Sequence, residues 1–178
     1  MGIRFGELNS TAPLGRLGDY FSGAGVTQIR AQDFPESSHC LRISDPTGQL
    51  ALVLECDPTA ALNGDFLFSH GQGPLIRVEN ARYWLEVDGA LWFETNEAIE
   101  RAQTGDCLFV FKLANGRSLV VVAACGSTLE NQLFWLFDLP REFCGGFVAA
   151  DATSFVQKAV RTPETIILAN LELVAEPV

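Results

Sequence analysis

Lysine and histidine are scarce in this 178-residue chain, and that shortage excludes several chemistries at once. Lys112 and Lys158 are the only lysines, and each has valine two positions before it. A metal-dependent nuclease core of the restriction type needs an acidic residue and then an Asp/Glu-x-Lys triplet. No such triplet can be built here, so the chain is expected to cut nothing by itself. The two histidines, His39 and His70, lie in no catalytic signature. There is no GxSxG elbow, phosphate-binding loop or dinucleotide fingerprint, and Gly71-Gln72-Gly73 alone is a weak signal.

Cysteine is also used sparingly. Cys40, Cys56, Cys107, Cys125 and Cys144 are widely spaced, odd in number and lack a CxxC pair. That pattern suits neither a disulfide framework nor a zinc site. All five are expected to be structural thiols, with no metal and no cofactor. No apolar run reaches the roughly 18 residues needed to cross a bilayer, and the start Met1-Gly2-Ile3-Arg4-Phe5 lacks a secretory core. A cytoplasmic location with no membrane partner is the expectation.

Apolar residues, by contrast, make up 48% of the chain, against 19% charged, which is the composition of a globular domain. The length fits a single domain spanning 1–178. The net charge of -10 favours solubility and opposes indiscriminate binding to polyanions. It leaves room for a local basic cleft, which only the distribution of charge can supply.

Turn residues punctuate many short apolar segments. Residues 1–16 read as an irregular arm, and Asp19 to Gly25 as a short helical turn. Extended segments are expected at Val26–Arg30, Leu41–Ile43, Leu50–Cys56, Phe66–Phe68, Leu75–Val78, Ala81–Val87 and Leu91–Phe93. Asp45-Pro46-Thr47-Gly48 and Asn63-Gly64-Asp65 read as turns, and Asp88-Gly89 is the strongest hairpin signal. Thr95–Ala102 reads as a capped helix. Cys107–Ala124 reads as strand, turn and strand, followed by a helix capped at Ser127 or Thr128 and running to Phe137. Residues 140–178 are expected to add a helix near 154–160 and a strand near 165–173. The fold class is mainly β with a few helices (α+β), an open barrel or sandwich with helical additions.

The densest polar segment is Ile76-Arg77-Val78-Glu79-Asn80-Ala81-Arg82-Tyr83-Trp84. Strict alternation would put Arg77, Glu79 and Ala81 on one side and Val78, Asn80 and Arg82 on the other. An Arg and a Glu two apart on a strand can read a G·C pair: Arg donates to guanine O6 and N7, and Glu accepts from cytosine N4. The same residues also suit a solvated strand face with a weak ion pair, and the residues alone leave both open. Trp84, Trp92 and Trp135 are expected in the core.

From Gly105 through Lys112, Asn115-Gly116, Ser118–Ala124 and Gly126–Phe137, the order strand-turn-strand-loop-helix resembles the DNA-recognising amino-terminal domain of EcoRII-type restriction endonucleases. The resemblance extends over most of the chain to about Leu139. It implies a DNA-binding pseudobarrel, an open mixed β-barrel flanked by short helices, whose two arms embrace the major groove. Cleavage would belong to a separate nuclease domain of the parent protein. Carried over by position, His39 and Arg42 fall on the first arm, and Arg77, Glu79, Asn80, Arg82 and Tyr83 on the second. The implied partner is double-stranded DNA with a short C·G-rich site of the CC(A/T)GG kind. An acidic protein-interaction or regulatory module on the same scaffold, mimicking DNA by its charge, is the alternative.

Overall fold

The computed structural model describes residues 21–34, 41–45, 47–55, 61–69, 76–94, 101–113, 116–141 and 146–150, with Gln32, 61–69 and 76–80 described by backbone alone. Eight described strands form one mixed sheet: β1 (Phe21–Gln28), β2 (Leu41–Ile43), β3 (Ala61–Ser69), β4 (Ile76–Leu85), β5 (Leu91–Phe93), β6 (Cys107–Leu113), β7 (Ser118–Ala123) and β8 (Val148–Ala149). Their order across the sheet is β2-β5-β4-β3-β7-β6-β1-β8. Only β3 and β7 run parallel among these neighbours; the other pairings are antiparallel. The two ends of that order do not meet, so this is the open, mainly β arrangement with helices that the sequence indicates.

β6 and β7 explain the unbroken apolar run at the sheet's centre. Leu108, Val110, Val120 and Val122 join one buried cluster with Leu41, Ile43, Tyr83, Leu91 and Phe93. Phe109, Phe111, Leu119 and Val121 join another, with Leu133, Phe134, Leu136 and Phe137. With both faces covered, polar alternation disappears. The last four belong to α2 (Thr128–Leu136) and the residue that ends it. Ser127 caps it as the spacing indicates, its Oγ accepting from the Glu130 amide at 3.2 Å.

Several expected elements are replaced. Leu50–Cys56 was expected to be extended, yet Gln49–Leu54 forms α1, burying Leu50, Val53 and Leu54 while Leu52 stays 77% exposed. Its start is set by Asp45, which is 2% exposed. That carboxylate accepts from the Leu50 amide at 2.7 Å, the Thr47 amide at 3.2 Å and the Thr47 hydroxyl at 2.6 Å. The expected turn at Asp45–Gly48 is present, the Gly48 amide donating to the Asp45 carbonyl at 3.3 Å, and it leads into the helix with Gly48 at φ 74°. Asp45→Ala should cost about 1–3 kcal/mol by leaving those donors unmet; urea unfolding measures it, and a loss near zero would refute this account of α1.

The helical turn expected before Gly25 is instead β1, whose Phe21, Ala24 and Val26 are buried by pairing with β6. Gly25 is required there, because a Cβ would overlap the Phe147 ring and stand 2.8 Å from the Val148 carbonyl oxygen. Asn63-Gly64-Asp65 lies inside β3, where Gly64 pairs with Ala81 on one side and Ser118 on the other. Pairing on both edges overrides the local turn preference. The Asp88-Gly89 hairpin is present: Gly89 has φ 87°, and the Glu86 amide donates to the Ala90 carbonyl at 2.8 Å.

The arm at 1–16, the helix near 154–160 and the strand near 165–173 lie outside the described residues, as does the helix at 95–102 apart from Arg101 and Ala102. Cys107 is buried, and burial followed by the neighbouring Glu130 charge pushes its thiol up, keeping it protonated. Cys125 lies beyond β7 and is exposed. No helix among the described residues is long and apolar enough to cross a membrane.

Candidate nucleic-acid interface

β4 is held between β3 and β5, with β2 beyond β5, and these strands carry most of the candidate residues. One phase of the pleat is core: Ala81, Tyr83 and Leu85 on β4, Leu91 and Phe93 on β5, Leu41 and Ile43 on β2. The other phase carries Arg82, Trp84, Trp92 and Arg42. Register brings them into a row, with Arg42 opposite Trp92 and Trp92 opposite Trp84. The two indoles are parallel within 2°, their centroids 6.4 Å apart. The Arg42 guanidinium lies 5.7 Å from the Trp92 ring and that of Arg82 5.9 Å from the Trp84 ring. Both cations are within cation–π range, which favours flat, fixed guanidinium planes.

Carboxylates frame this row. Arg42 Nη2 stands 2.7 Å from Asp88 Oδ2, and Arg82 Nη1 3.5 Å from Glu94 Oε1. Trp84 Nε1 donates to Glu86 Oε1 at 3.0 Å. The Asp88 carboxyl is held below its ordinary value of 3.8, first by the Ala90 amide and then by Arg42. The Arg42–Asp88 pair therefore persists at mildly acidic pH and is lost only as pH falls below that value. Two arginines facing three carboxylates leave the described part of this face without an excess of positive charge.

The Arg77-Val78-Glu79-Asn80 segment lies on β4, near the end of the β3–β4 hairpin that leads to Ser69. Its register departs from strict alternation. Gly64 pairs with Ala81, but Phe66 pairs with Val78, so β4 carries one extra residue between them. Arg77 pairs with Leu67 and Arg82 with Asn63, four residues apart on β3. Position 77 is therefore in the pairing phase of Arg82, not in that of Ala81. Positions 42, 77 and 82 share one phase of the sheet.

The other candidates divide clearly. His39 lies outside the described residues. Tyr83 is fully buried, its ring 5.7 Å from that of Phe93, so it serves the core and is withdrawn from the groove-contacting set. Trp84 and Trp92 are half-buried on the outer phase and Trp135 is 53% exposed, so none of the three occupies the core position expected of it. The clue for two of them was period-2 spacing: Tyr83 and Leu85 flank Trp84, and Leu91 and Phe93 flank Trp92. Among the described residues, no group of three or more His, Cys, Asp or Glu is placed to hold a metal ion.

No protein-family model matches this chain, and no curated protein matches it. Among solved structures it is similar to the N-terminal domain of Helicobacter pylori LlaJI.R1, at 12% identity and a TM-score of 0.44, covering 73% of this chain and 98% of that one.

Proposed function

We propose that this chain is a sequence-specific double-stranded DNA-binding domain, the non-catalytic recognition part of a type II restriction endonuclease. The carrying observation is the register shift in β4, which brings position 77 into one pairing phase with Arg42 and Arg82. Three arginine positions, two on β4 and one on β2 across β5, suit the sheet to the edge of a duplex, with Arg77 and Glu79 reading a G·C pair and Arg42 and Arg82 fixing orientation. Asn80 assists on the same strand, and His39 on the first arm. The preferred site is short and C·G-rich, of the CC(A/T)GG kind, and cleavage belongs to a nuclease domain of the parent protein.

A randomised duplex pool, gel-shifted at low and moderate salt and sequenced from the bound fraction, tests this reading. Enrichment of one C·G-rich site, with affinity falling as salt rises, is expected. No retained duplex at low salt would overturn it. The second reading, an acidic protein-interaction module, would then stand. It has its own support: Arg42 and Arg82 already face Asp88 and Glu94, and Glu86 adds a third carboxylate.

A further inference from the structure

Arg42 and Arg82 are each engaged twice, by a tryptophan ring and by a carboxylate. We infer that Asp88 and Glu94 are specificity-determining residues: each competes with DNA phosphate for its arginine and so holds down sequence-independent binding. The inference rests on the DNA-binding reading and concerns the control of that same face.

Both carboxylates are placed by the backbone as well as by the arginines they meet. Asp88 sits in the β4–β5 hairpin, where its Oδ1 accepts from the Ala90 amide at 2.9 Å and its Oδ2 stands 2.7 Å from Arg42 Nη2. One oxygen closes the turn and the other meets the cation. Glu94 follows β5, and its amide donates to the Arg82 carbonyl at 3.2 Å. The register that bonds these two backbones also brings Glu94 Oε1 to 3.5 Å from Arg82 Nη1.

Neither pair is sequestered. The side chains of Arg42 and Asp88 are 35% and 58% exposed, and those of Arg82 and Glu94 57% and 49%. An incoming phosphate can reach each guanidinium, but it must displace a carboxylate that stays nearby and repels it. Exposed pairs of this kind are weak, so they set a threshold and do not block the face. Binding to a random duplex draws almost wholly on phosphate contacts and meets that threshold unaided. A correct site adds base contacts that offset it.

The test is a double-mutant cycle on the full chain. Asp88→Asn and Glu94→Gln are made singly and together, and each again with Arg42→Ala or Arg82→Ala respectively. Asparagine keeps an oxygen for the Ala90 amide, and urea unfolding checks that each variant is folded. Affinity for a scrambled duplex should rise about three- to fivefold in Asp88→Asn, the upper end for an exposed ion pair, and less in Glu94→Gln, whose pair is longer. The double variant should steepen the salt slope by up to about two, one for each arginine freed. With Arg42 or Arg82 replaced, the matching gain should fall below about 1.5-fold, the level left to screened long-range charge. A gain that survives loss of the arginine would overturn the inference, as would variants that bind the scrambled duplex no more tightly than the parent chain. Either result leaves the DNA-binding reading standing if the parent chain retains the enriched site. Absence of binding to any duplex at low salt, by parent and variants alike, would overturn both.

Discussion

Arg77→Ala should weaken binding to the enriched C·G-rich duplex by about 5- to 150-fold, the loss of about 1–3 kcal/mol that follows removal of a bidentate guanine contact. The position lies on β4, and the extra residue between Val78 and Ala81 sets its phase. If Arg77 reads a base, the loss is confined to the preferred site and the salt slope is unchanged. A phosphate contact would instead weaken all duplexes alike and reduce the slope by about one. Arg42→Ala and Arg82→Ala should cost less, because each cation already has a carboxylate partner. Binding isotherms on the enriched site and on a scrambled duplex separate these outcomes. Unchanged affinity and unchanged base preference in Arg77→Ala would remove Arg77 from the interface.

Phe111→Ala should destabilise the fold by about 3–5 kcal/mol, the usual range for a fully buried phenylalanine whose removal leaves a cavity. The ring is fully buried on β6 and packs 5.2 Å from Phe21 of β1 and 5.0 Å from Phe137 at the end of α2. It stacks within 3° of Phe109 at 6.3 Å. One side chain thus joins β1, the sheet centre and α2. In a chain of this length the loss corresponds to a fall in Tm of roughly 6–20 °C. Trp135→Ala provides the contrast: that side chain is 53% exposed, and its removal should cost well under half as much. A calorimetric difference below about 1.5 kcal/mol for Phe111→Ala would mean that this cluster is not close-packed.

The two substitutions probe features of unequal legibility. β6, β7 and α2 were readable because their signals are local: a run of apolar residues broken at Asn115-Gly116, then Ser127 before a helical pattern. Asp88-Gly89 was readable for the same reason, since its backbone demand is met within four residues. α1 was misread because Leu50–Leu54 is equally apolar as strand or helix. A buried carboxylate five residues earlier decided the matter by taking the Leu50 amide.

Sequence by itself determined the mainly β class and the arginine-bearing segment at 77–82. It also determined the lack of a restriction-type nuclease triplet, since that needs lysines the chain does not place there. Only the tertiary structure decided which side of the sheet each residue serves. Tyr83 went into the core and Trp84 out of it because β4 pairs with β3 and β5 in one register. The phase of Arg77 turned on one extra residue opposite Gly64–Phe66. A period of two makes side assignment depend on the pairing of every residue along the strand, and one extra residue in β4 leaves no local mark on the sequence.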